Sequence, residues 1–131
     1  MYGVRPRYQV RVQVIKGWHD DDGELHEKIH NVALSDGRKE SRRGKVKPVG
    51  STVDVPDASY TNSIGDPELA MVWTDPDFDQ AESAFYYARV IEIPTPRWTA
   101  YDAVKFNLDL SDEVPQTLQE RAYTSPIWYT P

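Results

Sequence analysis

The 131-residue chain contains no cysteine, which removes disulfides, thiolate nucleophiles and cysteine-bearing zinc sites together. No stretch approaches the ~20 consecutive apolar residues needed to span a bilayer, and Met1 to Pro6 has none of the apolar character that opens an export signal. As written, the chain is expected to be soluble, with no membrane partner. A surplus of positive charge is also missing: 21 acidic residues against 15 basic ones leave a net charge of -6. Such a field repels phosphate backbones, so no nucleic acid is expected as a partner.

What is present is an aromatic, strand-favouring composition, with four Trp and eight Tyr in a chain of single-domain size. Tyr8, Val10, Val12 and Val14 alternate with Gln9, Arg11 and Gln13, the period of a strand with one buried face. Asp20 to Glu24 supplies turn chemistry around Gly23, so Tyr8 to Leu34 is expected to be an antiparallel hairpin. Leu25 to Ser35 also fits a helical face, and its Val32 and Leu34 favour a strand. Gly37 to Gly50 reads as a long polar loop that adds nothing to the core, and Thr52 to Val55 as a short extended piece.

Glu68 to Trp73 is expected to pair as a second hairpin with Ala84 to Ile93, whose aromatic and branched residues suit a central strand. Pro94 and Pro96 then break the ladder and leave Arg97 to Ala103 as a rigid connector or short helix. The alternation of Val104, Phe106, Leu108 and Leu110 predicts a further strand, Thr117 to Arg121 one helical turn, and Ala122 to Tyr129 an extended edge interrupted by Pro126. The fold class expected is mainly β, an antiparallel β-sandwich-like sheet with one or two short helical turns, in a single domain over 1–131.

Several segments carry chemical signals. His26-Glu27-Lys28-Ile29-His30 matches the HExxH pattern of zinc hydrolases, which requires a helix and a third ligand downstream. A strand would set His26 and His30 roughly 13 Å apart, so a zinc hydrolase is the remote reading. Asp75, Asp77 and Asp79, with Glu82, offer oxygen ligands for calcium, but Gln80 and Tyr86 stand where an EF-hand loop needs Gly and Glu. Arg38, Lys39, Arg42, Arg43, Lys45 and Lys47 form a basic run without interleaved aromatics, which favours a solvated loop over a nucleic-acid patch. The aromatics would serve a sugar-binding platform, although most lie at strand positions where packing is the ordinary role. Arg97 and Trp98, held between prolines, are candidates for contacting a ligand or a neighbouring domain, against the plainer reading of an Arg packed on a half-buried Trp.

Six segments carry a family likeness: Lys16-Gly17-Trp18, Tyr60 to Gly65, Trp73 to Asp79, Ala84 to Val90, Pro94 to Asp102 and Glu120 to Tyr129. With them the chain, from about Tyr8 to Pro131, resembles the C-terminal end of a bacterial family known only as domain of unknown function 3604. Full-length members are several times longer and resemble metal-dependent phosphoesterases of the polymerase-and-histidinol-phosphatase type, whose His and Asp ligands lie upstream of this region. The resemblance implies a non-catalytic C-terminal β domain of a metal-dependent hydrolase. Its partner would be the upstream catalytic domain, and a divalent metal is implied only for that upstream part, with no cofactor in this chain. It also suggests a periplasmic or exported location. A carbohydrate- or calcium-binding β module is the alternative. A docked domain exposes an apolar patch, expected here near Trp98, Tyr101, Trp128 and Tyr129, with Arg97 beside them.

Overall fold

The computed structural model describes residues 7–131, so the N-terminal hexapeptide read above for an export signal lies outside the described residues. The fold is mainly antiparallel β with one short helix, in line with the expected class. Strands β1 (Gln9–His19) and β2 (Leu25–Leu34) form the expected hairpin, paired from His19 opposite Leu25 to Arg11 opposite Leu34. Gly23 sits in its turn at φ 80°, a left-handed conformation that side chains disfavour. Strand β3 (Ala84–Glu92) lies on the other side of β1 and is central, as its composition predicts. After β4 (Thr95–Pro96), helix α1 (Trp98–Phe106) and β5 (Thr117–Leu118), two short strands pair with the far edge of β3. These are β6 (Arg121–Tyr123), opposite Ile91 to Arg89, and β7 (Ile127–Tyr129), opposite Tyr86 to Ala84. Pro126 falls in the gap between them, at the sheet edge where a missing donor is tolerated.

Three sequence expectations are corrected. Glu68 to Trp73 is not a strand and does not pair with Ala84 to Ile93, because β1 and the β6/β7 pair occupy both edges of β3. The alternation at Val104 to Leu110 is not a strand either: α1 runs through Phe106, and Asn107, at φ 49°, closes the helix in a left-handed cap. Thr117 to Arg121 is not a helical turn but β5 followed by the start of β6, with β5 paired to β4 through Thr95–Leu118 and Pro96–Thr117. The 37–50 loop is not wholly detached from the core. Arg38 donates to the carbonyls of Ser35, Lys47 and Val10 and so pins the loop to β1. Thr52 to Val55 contributes only a bridge between Asp54 and Ser59.

The core is small. Val10, Ile15, Val32 and Ile93 are its large apolar members, joined by four alanines. The two faces of the sheet differ in their cover. On one, Lys16, Trp18, His26 and His30 lie beneath the acidic loop around Asp75, with Trp73 set against His30 at 4.9 Å between ring centres. On the other, Gln13 bonds to Asn31 and accepts two bonds from Arg89. Along that face Tyr123, Tyr87, Phe85 and Trp128 follow one another in ring contact.

Candidate functional site

The face that carries this aromatic row ends in a cleft of about 620 Å³ beside the first hairpin. Its floor is Gly17, over which Phe85 lies so closely that a Cβ at position 17 would fall 2.3 Å from the ring. Strand alternation places Leu25 and Glu27 on one wall and Phe85 with Trp128 on the other. Leu25 is 88% and Trp128 72% exposed. An apolar cleft whose rim carries Glu27, His19 and His26, the last already bonded to Asp20, fits an apolar side chain or a flat ring.

The covered face holds the strongest electrostatics. The Lys16 side chain is 3% exposed and lies 3.1 Å from Asp75, which is 6% exposed. It also donates to the Asp77 carbonyl at 2.9 Å and lies 3.6 Å from Glu82. Tyr86 donates its hydroxyl to Asp75, whose other oxygen accepts the Asp77 amide. Burial pushes the Lys16 pKa down, but the Asp75 hydrogen bond and the charges of Asp75, Tyr86 and Glu82 outweigh it and hold the ammonium above its ordinary value. Burial likewise pushes Asp75 up, and bonds from the Asp77 amide, Tyr86 and Lys16 overcome that and hold it down.

The HExxH segment lies on β2, so His26 and His30 share one face while Glu27 points to the other, roughly 13 Å of strand separating the two histidines. That geometry does not build the helical zinc site. His26 stacks on Trp18 and bonds to Asp20 at 2.7 Å, and Asp20 also accepts the Asp22 and Glu24 amides, interactions that lower its pKa, the His26 bond first. His30 is brought near Asp75 and Asp77, their ligand atoms within 4.8 Å of one another, and its Nε2 has no hydrogen-bond partner among the described residues. Both carboxylates are already engaged, Asp75 by Lys16 and Asp77 by Lys28. Asp79 instead accepts the Ala81 amide. The carboxylates of the Asp75–Asp79 run therefore act as loop caps and ammonium partners in this structure.

The docking candidates divide between two places. Trp128 and Tyr129 pair with Phe85 and Ala84 at the start of β3, whereas Arg97, Trp98 and Tyr101 follow its far end. The two ends of β3 lie eight residue steps apart, about 26 Å at strand rise. Trp98 is 64% exposed with the Arg97 guanidinium 5.9 Å from its ring, and Tyr101 is exposed one turn along α1. Tyr129 is half-buried, packed edge-on against Phe78 and donating to the Gln80 carbonyl. Sequence reasoning missed Leu25, Glu27, Phe85 and Tyr123 as members of the face that carries the cleft. Strand parity was the available signal for the first three, since they share a face with Gly17 and Ile15 once the hairpin register is known.

Neither the curated proteins nor the solved structures contain a match to the chain. The family described as "Protein of unknown function (DUF3604)" matches over residues 7–131, and the chain therefore belongs to that family.

Proposed function

We propose that this chain is a non-catalytic β domain that docks on a metal-dependent hydrolase module and completes or shields it. The observation that carries this reading is the imbalance of apolar burial. Among the described residues fourteen large apolar side chains are exposed, while only four of comparable size are buried. A monomer rarely exposes contiguous apolar area beyond a few hundred Å², and here Leu25, Ile127 and Trp128 are exposed at one end of the sheet and Trp98, Tyr101, Val104 and Phe106 along α1. The resemblance to longer proteins with upstream metal ligands supplies the partner, and the implied divalent metal belongs to that partner.

The test mixes the chain with the upstream module of a full-length relative and reads binding by calorimetry. A complex is expected, with affinity at least tenfold weaker (1.4 kcal/mol) for Trp128→Glu or Leu25→Glu. Absence of any complex overturns the reading. So does phosphate-ester turnover by the chain alone with Mn²⁺ or Zn²⁺ that is lost in His30→Ala.

The cleft supports a second reading, a carbohydrate-binding module, because Trp128 and Phe85 offer flat faces beside the Glu27 carboxylate. Saturable quenching of Trp128 fluorescence by an oligosaccharide, absent in Trp128→Ala, would favour it over docking.

A further inference from the structure

We infer that the chain forms a two-fold dimer by antiparallel pairing of the outer edges of β2, the acidic turn of each copy lying against the basic loop of the other. β2 ends the sheet: one edge pairs with β1, and no described residue pairs with the other. An unpaired edge presents backbone donors and acceptors to a second strand. Four of the five residues from Leu25 to Ile29 are exposed, including the apolar Leu25 and Ile29.

Charge identifies the occupant as a second copy. At the start of β2 the turn carries Asp21, Asp22 and Glu24, followed on the strand by Glu27, and none of these carboxylates forms an ion pair with a described residue. Past its end, the 37–50 loop exposes Lys39, Arg42, Arg43, Lys45 and Lys47, which likewise have no ion-pair partner among the described residues. Arg38 does not belong to this exposed set, because its guanidinium is turned inward onto main-chain carbonyls. The ten residues of β2 span about 30 Å at strand rise, the acidic turn preceding them and the basic loop following, with Glu40 of that loop returning to Asn31.

Antiparallel pairing is the arrangement that sets the beginning of one strand beside the end of the other. A two-fold axis across β2 therefore juxtaposes both acidic turns with both basic loops at once, a self-complementary interface of the kind closed dimers use. Charged residues on an edge ordinarily discourage pairing. Here Lys28 already pairs with Asp77, and Glu27 lies on the opposite face of β2. The dimer edge shares Leu25 and Glu27 with one wall of the cleft, whereas Trp128 and α1 lie outside that edge, so Trp128→Glu distinguishes the dimer from the docking proposed above.

Sedimentation of the full chain at low ionic strength tests this. A dimer is expected, with its dissociation constant rising at least tenfold in high salt as screening shortens the reach of the charges. Asp21→Lys with Asp22→Lys, and separately Arg42→Glu with Arg43→Glu, should each give monomers, since each pair of substitutions sets like charges together twice. An equimolar mixture of the two variants should recover a dimer, because in the mixed pair every turn again meets a loop of opposite sign. Trp128→Glu should leave the dimer intact. A monomeric wild-type chain, a dimer insensitive to both charge reversals, or a mixture that stays monomeric overturns the inference.

Discussion

Lys16 occupies a position in β1 where the alternation Val10, Val12, Val14 calls for another apolar residue, and it is as buried as the core valines. An ammonium so placed persists because Asp75, Tyr86 and the Asp77 carbonyl surround it, and it fastens the acidic loop to the sheet. Removing one partner of a buried pair strands the other charge. Lys16→Met is therefore expected to cost about 3–5 kcal/mol in denaturant unfolding, and Lys16→Met with Asp75→Asn less than the single change. A single-variant loss below about 1 kcal/mol, the range of exposed pairs, would contradict this. The pH dependence has a defined sign. Asp75, held below its ordinary 3.8, contributes stability that is present above that value and lost as pH falls through its lower folded pKa. Lys16 and Tyr86, held above 10.5 and 10.0, contribute stability present below those values and lost as pH rises through their folded pKa values. The denaturation midpoint should decline below about pH 4 and above about pH 10, with a shallower acid limb in Asp75→Asn. Lys16 was legible in the sequence only as a break in the alternation, since its partners lie some sixty residues away.

At the scale of elements, the first hairpin and β3 were readable because each carries a local signal: period-two alternation, a Gly-centred acidic turn, a run of branched and aromatic residues. Glu68 to Trp73 has a comparable run, but its expected partner strand, β3, has both edges occupied. Val104 to Leu110 failed for a different reason, since its apolar residues satisfy both periods and the cap at Asn107 decides between them. Gly17 is the position where two elements constrain each other most closely, β1 supplying an open backbone and β3 the ring of Phe85 above it. Gly17→Ala is expected to push that ring aside and lower stability by about 1–3 kcal/mol, read as a fall in the thermal midpoint. A variant as stable as the wild type would mean that Phe85 swings clear without loss. Such a close approach leaves no mark in the sequence beyond a glycine inside a strand.

For the molecule as a whole, the apolar surface lies where folding alone does not need it. Leu25→Glu and Trp128→Glu should each change unfolding free energy by less than about 0.5 kcal/mol, as substitutions of exposed residues usually do. Both should reduce the binding of a hydrophobic dye to the native chain. A large loss of stability in either variant would show that the face is part of the core, and the docking proposal would lose its surface. Both variants are therefore folded probes of the cleft.

The sequence by itself determined the class of fold, the hairpin, the central strand and the absence of cysteine chemistry, because propensity, periodicity and turn residues act within a few neighbours along the chain. It also carried the family likeness, in segments whose side chains need not be seen in place. Tertiary structure decided that the HExxH histidines stand on one face of a strand, with Glu27 on the other, and that the four aromatics expected in one patch belong to opposite ends of β3. It also brought His30 to Asp75 and Asp77, and left the outer edge of β2 unpaired and Leu25 and Trp128 exposed beside the cleft. These outcomes depend on strand register and on which edges are already taken, quantities that arise only when distant segments compete for the same hydrogen bonds.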